Sequence, residues 1–319
     1  MSDRDRSDRP TGDGSGEFVL AHLSDPHLTT LSGVHPIDLA NKRILGYLSW
    51  RRRRRRVHLR VVLDALMADV MAFAPQHIAI TGDLTHVGLP SECAAAYEWL
   101  RGVGSPERVS LVPGNHDRYI AAVASDTVGL WRDYARGDDG SYALPFVRRR
   151  GSVALIGVDT AVPTAPFLAT GRVGRAQLER LETVLAATRA EGLFRVVLLH
   201  HSPLLDGHSR RKRLDDAAAV TEALVRCGAE LVIHGHGHEE RVDRYESATG
   251  PMPIVAVPSA SHGGAGRAGW NCYRIEGEPG RWRLRIEARR SAAEGFVTRA
   301  TETFEWGTAI SCAAPARSR

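Results

Sequence analysis

Short apolar runs that stop abruptly at polar residues recur along this chain, and amphipathic segments separate several of them. The runs are short and partly β-branched, which is typical of buried strands, and they cover residues 18–23, 77–81, 108–112, 153–158, 195–199 and 231–233. Residues 57–73 and 174–189 instead place apolar side chains at helical spacing. Strands that alternate with helices predict an α/β protein.

The pattern changes after Pro253. Residues 282–287 alternate strictly between apolar and polar side chains, which is typical of a half-exposed strand, and no helical pattern follows. We therefore expect a single domain over residues 17–306 that begins as α/β and closes with antiparallel strands. Residues 1–16 are polar and predict a disordered tail, and residues 307–319 predict a flexible C-terminal tail.

Polar side chains of types that can bind metals or transfer protons follow five of the predicted strands. They are Asp25 and His27, then Asp83, then Asn115, His116 and Asp117, then His200, and finally His236 and His238. In open α/β sheets, ligands bind outside the carboxyl ends of the strands. The sequence therefore predicts that these side chains meet in one crevice.

These residue types indicate which ligand the crevice takes. Carboxylate oxygen, amide oxygen and neutral imidazole together suit Mn²⁺, Fe²⁺/Fe³⁺ or Zn²⁺ better than a soft metal ion that prefers thiolate ligands. Asp25 and His27 are two residues apart, as are His236 and His238, so each pair is spaced to reach a common ion. The donors exceed the need of one ion, which favours two divalent metal ions about 3.5–4 Å apart.

The same segments, in the same order, resemble the calcineurin-like metallophosphoesterases. The likeness covers residues 18–260 and is strongest toward the bacterial branch near class III cyclic-nucleotide phosphodiesterases. It rests on Asp25-x-His27, Gly82-Asp83, Gly114-Asn115-His116-Asp117, His200 and Gly235-His236-x-His238. The fold that it implies is a four-layer αββα sandwich with two central sheets.

The resemblance also implies a role for each residue. Asp25, His27 and His238 hold the first ion, Asn115, His200 and His236 hold the second, and Asp83 bridges them. A hydroxide between the ions attacks phosphorus. His116 binds no metal and protonates the leaving oxygen, and Asp117 orients His116.

The function implied is phosphoester hydrolysis, most specifically of a small phosphodiester such as a 3′,5′-cyclic nucleotide. Specificity lies in the surrounding loops, however, and here residues 29–56 form a long basic insertion. A phospholipid or nucleotide-sugar pyrophosphate at a membrane surface is therefore an alternative within the enzyme class. A catalytically silent binding or scaffold module is less favoured, because no ligand and no general acid is lost.

Several histidines remain ambiguous. His201 follows a proposed ligand directly, and the family pattern favours His200. His22, His58, His77 and His86 match no motif and are interpreted as structural or surface residues. His234 is interpreted as core-facing, and His262 on its Gly-rich loop fits a pocket or a plain surface loop equally well.

Charge adds a question about partners. The net charge is +5, and Arg51–Arg56 form a run of six arginines. Beside Leu45, Leu48 and Trp50, this run is suited to peripheral contact with an anionic membrane. Nucleic-acid binding is less favoured, because no aromatic platform accompanies the arginines.

Location and assembly are expectations only. The four cysteines are far apart, which argues against a disulfide framework and suits a reducing compartment. We therefore expect a cytoplasmic protein that is peripheral at the inner membrane face if the arginines bind lipid. A homodimer is common among similar enzymes and stays open here.

Overall fold

The computed structural model of the chain describes residues 16–120, 129–205 and 209–307. The predicted tails, residues 1–16 and 307–319, lie outside these ranges except for Gly16 and Gly307.

Two six-stranded sheets form the centre of the domain. The first has the order β12-β11-β10-β1-β2-β3 and the second the order β4-β5-β6-β7-β9-β8. The strands of the first sheet are β1 (Phe18–Leu23), β2 (His77–Ile80), β3 (Val109–Leu111), β10 (Gly269–Glu278), β11 (Arg281–Ser291) and β12 (Phe296–Glu305). Those of the second sheet are β4 (Phe146–Arg150), β5 (Val153–Gly157), β6 (Phe194–Leu198), β7 (Leu231–His234), β8 (Arg241–Ser247) and β9 (Gly250–Ala256).

The buried apolar clusters define four layers. One cluster lies between the sheets and includes Leu20 from the first and Leu155 from the second. Another packs the helices α3 (Arg60–Ala72) and α4 (Pro90–Val103) on the outer face of the first sheet. A third packs α5 (Arg175–Ala190) and α6 (Ala217–Cys227) on the outer face of the second sheet. The predicted four-layer αββα sandwich is therefore confirmed.

Strand direction explains where the polar side chains go. β1, β2 and β3 are mutually parallel, and so are β5, β6, β7 and β9. The carboxyl ends of each parallel set consequently lie at one edge of its sheet. The antiparallel strands β10, β11 and β12 extend the first sheet on its other side, as the alternating pattern after Pro253 predicts.

The basic insertion is itself helical, which the sequence pattern did not show. Helix α1 (Arg43–Ser49) continues through a π-helical turn (Trp50–Arg54) into the short α2 (Arg55–Val57). We call residues 43–57 the arginine-rich helix. His58 and Leu59 are extended, so the predicted helix over residues 57–73 begins only at Arg60.

The side chain of Trp50 is buried and packs the arginine-rich helix against the rest of the domain. It is only 5% exposed and packs with Leu31, Val87 and Leu89. Buried Arg43 donates from Nε and Nη2 to the carbonyls of Val87 and Gly88, at 3.1 and 2.5 Å. Trp50 is therefore buried in the protein rather than exposed as an apolar anchor, and membrane contact through the arginines stays a prediction. Among the described helices, none is long and apolar enough to cross a bilayer.

Candidate dinuclear metal site

The strand ends bring the predicted ligands together at one edge of the two sheets. Three groups of side chains have donor atoms within 4.8 Å of one another. They are Asp25 with His27 and His238, Asp25 with Asp83 and His200, and His200 with His201 and His236. Because Asp25 and His200 each belong to two groups, the three groups form one continuous cluster.

The backbone is strained where the ligands leave the strands. Five cluster residues have positive φ angles, namely Asp25 (52°), His27 (42°), Asp83 (58°), His236 (64°) and His238 (54°). Non-glycine residues rarely adopt this conformation, and such strain is concentrated at functional sites. The strained turns therefore indicate that ligand placement, rather than stability, determines the local backbone.

Two glycines allow the turns to approach each other closely. A Cβ atom on Gly114 would lie 2.1 Å from Asp83 Oδ1, and one on Gly235 would lie 1.9 Å from Ser24 Oγ. Neither position accepts a larger residue without displacing a neighbouring strand end.

The first half of the cluster is centred on Asp25. Its Oδ1 lies 2.9 Å from His238 Nε2, and its Oδ2 accepts the backbone N–H of His236 at 3.0 Å. His27 donates from Nδ1 to the carbonyl of Thr85 at 2.9 Å, which leaves its Nε2 lone pair facing Asp83 Oδ2 at 4.0 Å. Such second contacts fix the tautomer and orientation of a metal-binding histidine.

The second half shows that a cation fits the cluster. His200 donates from Nδ1 to the carbonyl of Thr81 at 2.6 Å, so its Nε2 carries a lone pair in the neutral ring. That lone pair faces Asp83 Oδ2 at 3.5 Å, Asn115 Oδ1 at 3.2 Å and His236 Nδ1 at 3.2 Å. Among the described residues, buried His236 Nε2 has no hydrogen-bond partner. Oxygen and nitrogen atoms that converge in this way fit a cation between them.

The buried charges support the same conclusion. Burial, followed by the fields of Asp25 and Asp117, raises the pKa of Asp83 well above its usual range. Burial also opposes ionisation of Asp25, but the charge and hydrogen bond of His238 hold its pKa well below the usual value. Carboxylates buried this close together need positive partners to stay ionised together. Divalent cations held by these side chains would supply that charge.

His116 and Asp117 lie where the sequence placed them, but they do not contact each other as expected. His116 donates from Nδ1 to the carbonyl of His86 at 2.5 Å. Asp117 instead accepts backbone N–H groups of Asp83, Thr85 and Gly114, at 2.8, 3.0 and 2.9 Å. The expected role of Asp117 in orienting His116 is therefore corrected. Asp117 holds the two loops that carry Asp83 and His116, because its carboxylate satisfies their backbone donors.

Arg54 is the main residue of the site that the sequence did not single out. Its Nη1 lies 2.8 Å from His116 Nε2, so one arginine of the exposed run points into the metal cluster. Its two neighbours in the run, Arg53 and Arg55, are exposed. A run of identical residues carries no periodicity, so only the π-helical turn shows which arginine faces inward.

Other histidines also lie nearer the cluster than expected. The ring centroids of His58 and His86 lie 4.3 and 5.1 Å from that of His27, although both residues were interpreted as structural or surface. His201 lies 4.4 Å from the His236 ring, so both histidines of the His200-His201 pair border the site. His77, by contrast, is structural as predicted, since its Nε2 lies 2.8 Å from Ser110 Oγ in the core.

Comparison with known proteins is consistent with this geometry. Residues 18–240 match the Metallophos family, described as calcineurin-like phosphoesterase. No curated protein matches the chain significantly.

Two solved structures show the shared fold. A dimetal phosphatase from Danio rerio superposes with a TM-score of 0.60 at 13% identity, over 91% of this chain and 99% of that one. The purple acid phosphatase PPD1 from yellow lupin superposes with a TM-score of 0.59 at 12% identity, over 91% of this chain and 54% of that one. Since the family match spans most of the domain and includes all the clustered side chains, the chain belongs to the calcineurin-like phosphoesterase family.

Proposed function

We propose that this metal-dependent phosphoester hydrolase acts on phosphodiesters, with a 3′,5′-cyclic nucleotide as the candidate substrate. One observation carries the proposal: donor atoms of Asp25, His27, Asp83, His200, His236 and His238 form one continuous cluster. Two divalent ions, Mn²⁺, Fe or Zn²⁺, suit these oxygen and nitrogen donors. Bound cations lower the pKa of water from about 15.7 to about 7 and stabilise charge on phosphoryl oxygens.

Individual side chains would hold the ions, donate the proton and position the loops. Asp25, His27 and His238 would hold one ion, Asn115, His200 and His236 the other, and Asp83 both. His116 would act as general acid from Nε2 in its doubly protonated form, because its Nδ1 proton is already donated to the His86 carbonyl, and Arg54, whose Nη1 lies 2.8 Å from Nε2, would then bind the substrate instead. General-acid catalysis of this kind contributes roughly 10²–10⁴-fold. Asp117 keeps the loops of Asp83 and His116 in register.

The test is a panel of substrates. Metal-stripped protein is reloaded with Mn²⁺ and given bis-p-nitrophenyl phosphate, p-nitrophenyl phosphate and cyclic AMP. We expect metal-dependent hydrolysis of the diester that exceeds hydrolysis of the monoester, and hydrolysis of cyclic AMP. Equal activity of the wild type and a His116→Ala variant on every substrate would instead support a silent binding module.

A second candidate is hydrolysis of a phospholipid or nucleotide-sugar pyrophosphate. The observation that favours it is apolar exposure beside the site, since the side chain of Phe167 is 74% exposed and borders the same cavity as His116. Uridine diphosphate glucose and a short-chain phosphatidylcholine added to the panel would distinguish it. Turnover of either that exceeds turnover of cyclic AMP would replace the first candidate.

A further inference from the structure

A cavity of about 480 Å³ opens directly beside the metal cluster. Asn115 and His116 form its inner end. The other walls come from Tyr119 and from three segments that lie outside the strand-end motifs, namely Lys42 with the arginine-rich helix, residues 167–169 and residues 209–212. We call this space the cationic cavity.

Direct contacts connect these segments, the first between Lys42, which directly precedes the arginine-rich helix, and Thr164, which precedes residues 167–169. Lys42 Nζ donates to both the carbonyl and the hydroxyl oxygen of Thr164, each at 2.9 Å. The backbone N–H of Ala169 donates to the carbonyl of Arg211 at 2.8 Å. The cavity is therefore a built part of the fold rather than a gap between independent loops.

The side chains that line the cavity include positive charges but no negative ones. Five cationic residues line the cavity and no Asp or Glu does: Lys42, Arg52, Arg54, Arg211 and Lys212. Within the described part of the chain, none of the five forms an ion pair with a carboxylate. Five cationic side chains around one opening, several of them exposed, create a positive potential that attracts an anion. Their arrangement therefore indicates an anionic ligand.

Arg54 connects the cavity to the metal cluster. It lines the cavity, and its guanidinium also lies within 2.8 Å of His116 Nε2. Burial lowers the pKa of Arg54, whereas the nearby charges of Asp83 and Asp25 oppose that change. A planar guanidinium presents several donors to phosphate oxygens, so Arg54 is suited to bind the substrate at the boundary between the two regions.

The number of cations exceeds what one phosphodiester requires. A single diester carries one negative charge, and the metal cluster, with the two divalent ions that it would hold, would already neutralise that charge. The cations farther out, Arg52, Arg211 and Lys212, then have no anionic group to bind. Apolar Leu45, Leu48 and Leu168 line the same space and provide contacts for carbon atoms between two anionic groups.

We propose that the cationic cavity binds a second anionic group of the substrate, so that the substrate class is a phosphoester that carries a further phosphate. This inference rests on the proposed phosphoester hydrolysis at the metal cluster, and between the two candidates it favours the nucleotide-sugar pyrophosphate, because a 3′,5′-cyclic nucleotide carries a single phosphate. Arg54 contacts both groups, and Arg211 and Lys212 contact the second.

Calorimetric binding of phosphonates that differ in one group tests the proposal. The Mn²⁺-loaded full chain is titrated with propylphosphonate and with propane-1,3-diylbisphosphonate. We expect the bisphosphonate to bind about tenfold or more tightly, since a hydrogen bond to a charged group contributes on this order. In an Arg211→Ala/Lys212→Ala variant this advantage should fall to about twofold. In an Arg51→Ala/Arg55→Ala variant, which changes exposed arginines outside the cavity, it should persist.

Three results would overturn the proposal. They are equal affinity for the two phosphonates, an advantage that survives in Arg211→Ala/Lys212→Ala, and tighter binding of octylphosphonate than of the bisphosphonate. The last result would assign the cavity to an apolar chain.

Hydrolysis of bis-p-nitrophenyl phosphate by the same preparations separates the cavity proposal from the proposed function. If the wild type hydrolyses it and the bisphosphonate shows no advantage, only the cavity proposal fails. If hydrolysis is absent and the advantage holds, the proposed function fails instead.

Discussion

The metal cluster and the arginine-rich helix border the same cavity but are held in place in different ways. Five of the cluster residues lie in strained turns that follow parallel strands, and glycines such as Gly235 allow these turns to approach closely. The arginine-rich helix depends instead on a few side chains, chiefly Arg43 and Trp50. The sheet edges therefore position the metal-binding side chains. The arginine-rich helix, which lines the cavity, is held by side-chain contacts and can change without disturbing them.

The largest expected effect follows loss of Asp83, the proposed bridging ligand. Asp83→Asn removes a carboxylate that faces both halves of the cluster, so we expect fewer than two bound ions per chain. Activity should fall by roughly 10³-fold or more, because metal ions supply several kcal/mol of transition-state stabilisation. Elemental analysis and bis-p-nitrophenyl phosphate hydrolysis measure the two effects. Asp64→Asn, on the exposed face of α3, is the matched control.

A His116→Ala variant separates proton transfer from metal binding in the same region. Metal content should stay unchanged, while hydrolysis of an alkyl ester should fall by roughly 10²–10⁴-fold. The loss should be smaller for a p-nitrophenyl ester, because that leaving group needs little protonation. Equal losses on both esters would contradict a general-acid role. His35→Ala is the control, since this histidine is exposed.

The attachment of the helix is tested by Trp50→Ala. Removing a buried Trp costs roughly 3 kcal/mol or more, and here that loss should weaken docking of the helix. Trypsin cleavage within Arg51–Arg56 should accelerate by about 10²-fold, because the helix opens locally more often. Metal content should not change. Ile44→Ala, on the exposed side of α1, should leave the cleavage rate near that of the wild type.

The smallest effect is expected for the exposed arginines. Replacing Arg51, Arg55 and Arg56 with Ala should alter hydrolysis of small substrates by about twofold at most, as is usual for surface changes. If the helix contacts anionic membranes, the same variant should sediment less with vesicles that contain phosphatidylglycerol. Each basic residue near such a surface contributes about 1 kcal/mol. Wild-type binding that is indifferent to anionic lipid would remove the membrane interpretation.

The contrast between the two regions also explains how much the sequence could predict. β1, β2 and β7 were predicted because each is a short apolar run that ends at a polar motif. The residues that cluster followed from those ends, since parallel strands place their carboxyl ends together. Both predictions depend on sequence patterns that each span only a few residues.

Long-range contacts explain what was missed. Arg54 is one of six identical residues, and only its distance from His116 distinguishes it. The contact expected between Asp117 and His116 was wrong because the backbone donors of Thr85 and Asp83 compete for that carboxylate. His58 and His86 lie beside His27 in the structure, although both are distant from it along the chain. No pattern along the chain records these pairings.

The central claim is that the strand ends hold two divalent ions that make the chain a phosphoester hydrolase. The most direct measurement is a Mn²⁺ titration of metal-stripped protein, with bound metal and bis-p-nitrophenyl phosphate hydrolysis recorded on the same samples. The account predicts that activity appears with metal and that binding saturates at two ions per chain. Saturation below one ion per chain, or hydrolysis that does not depend on added metal, would contradict it.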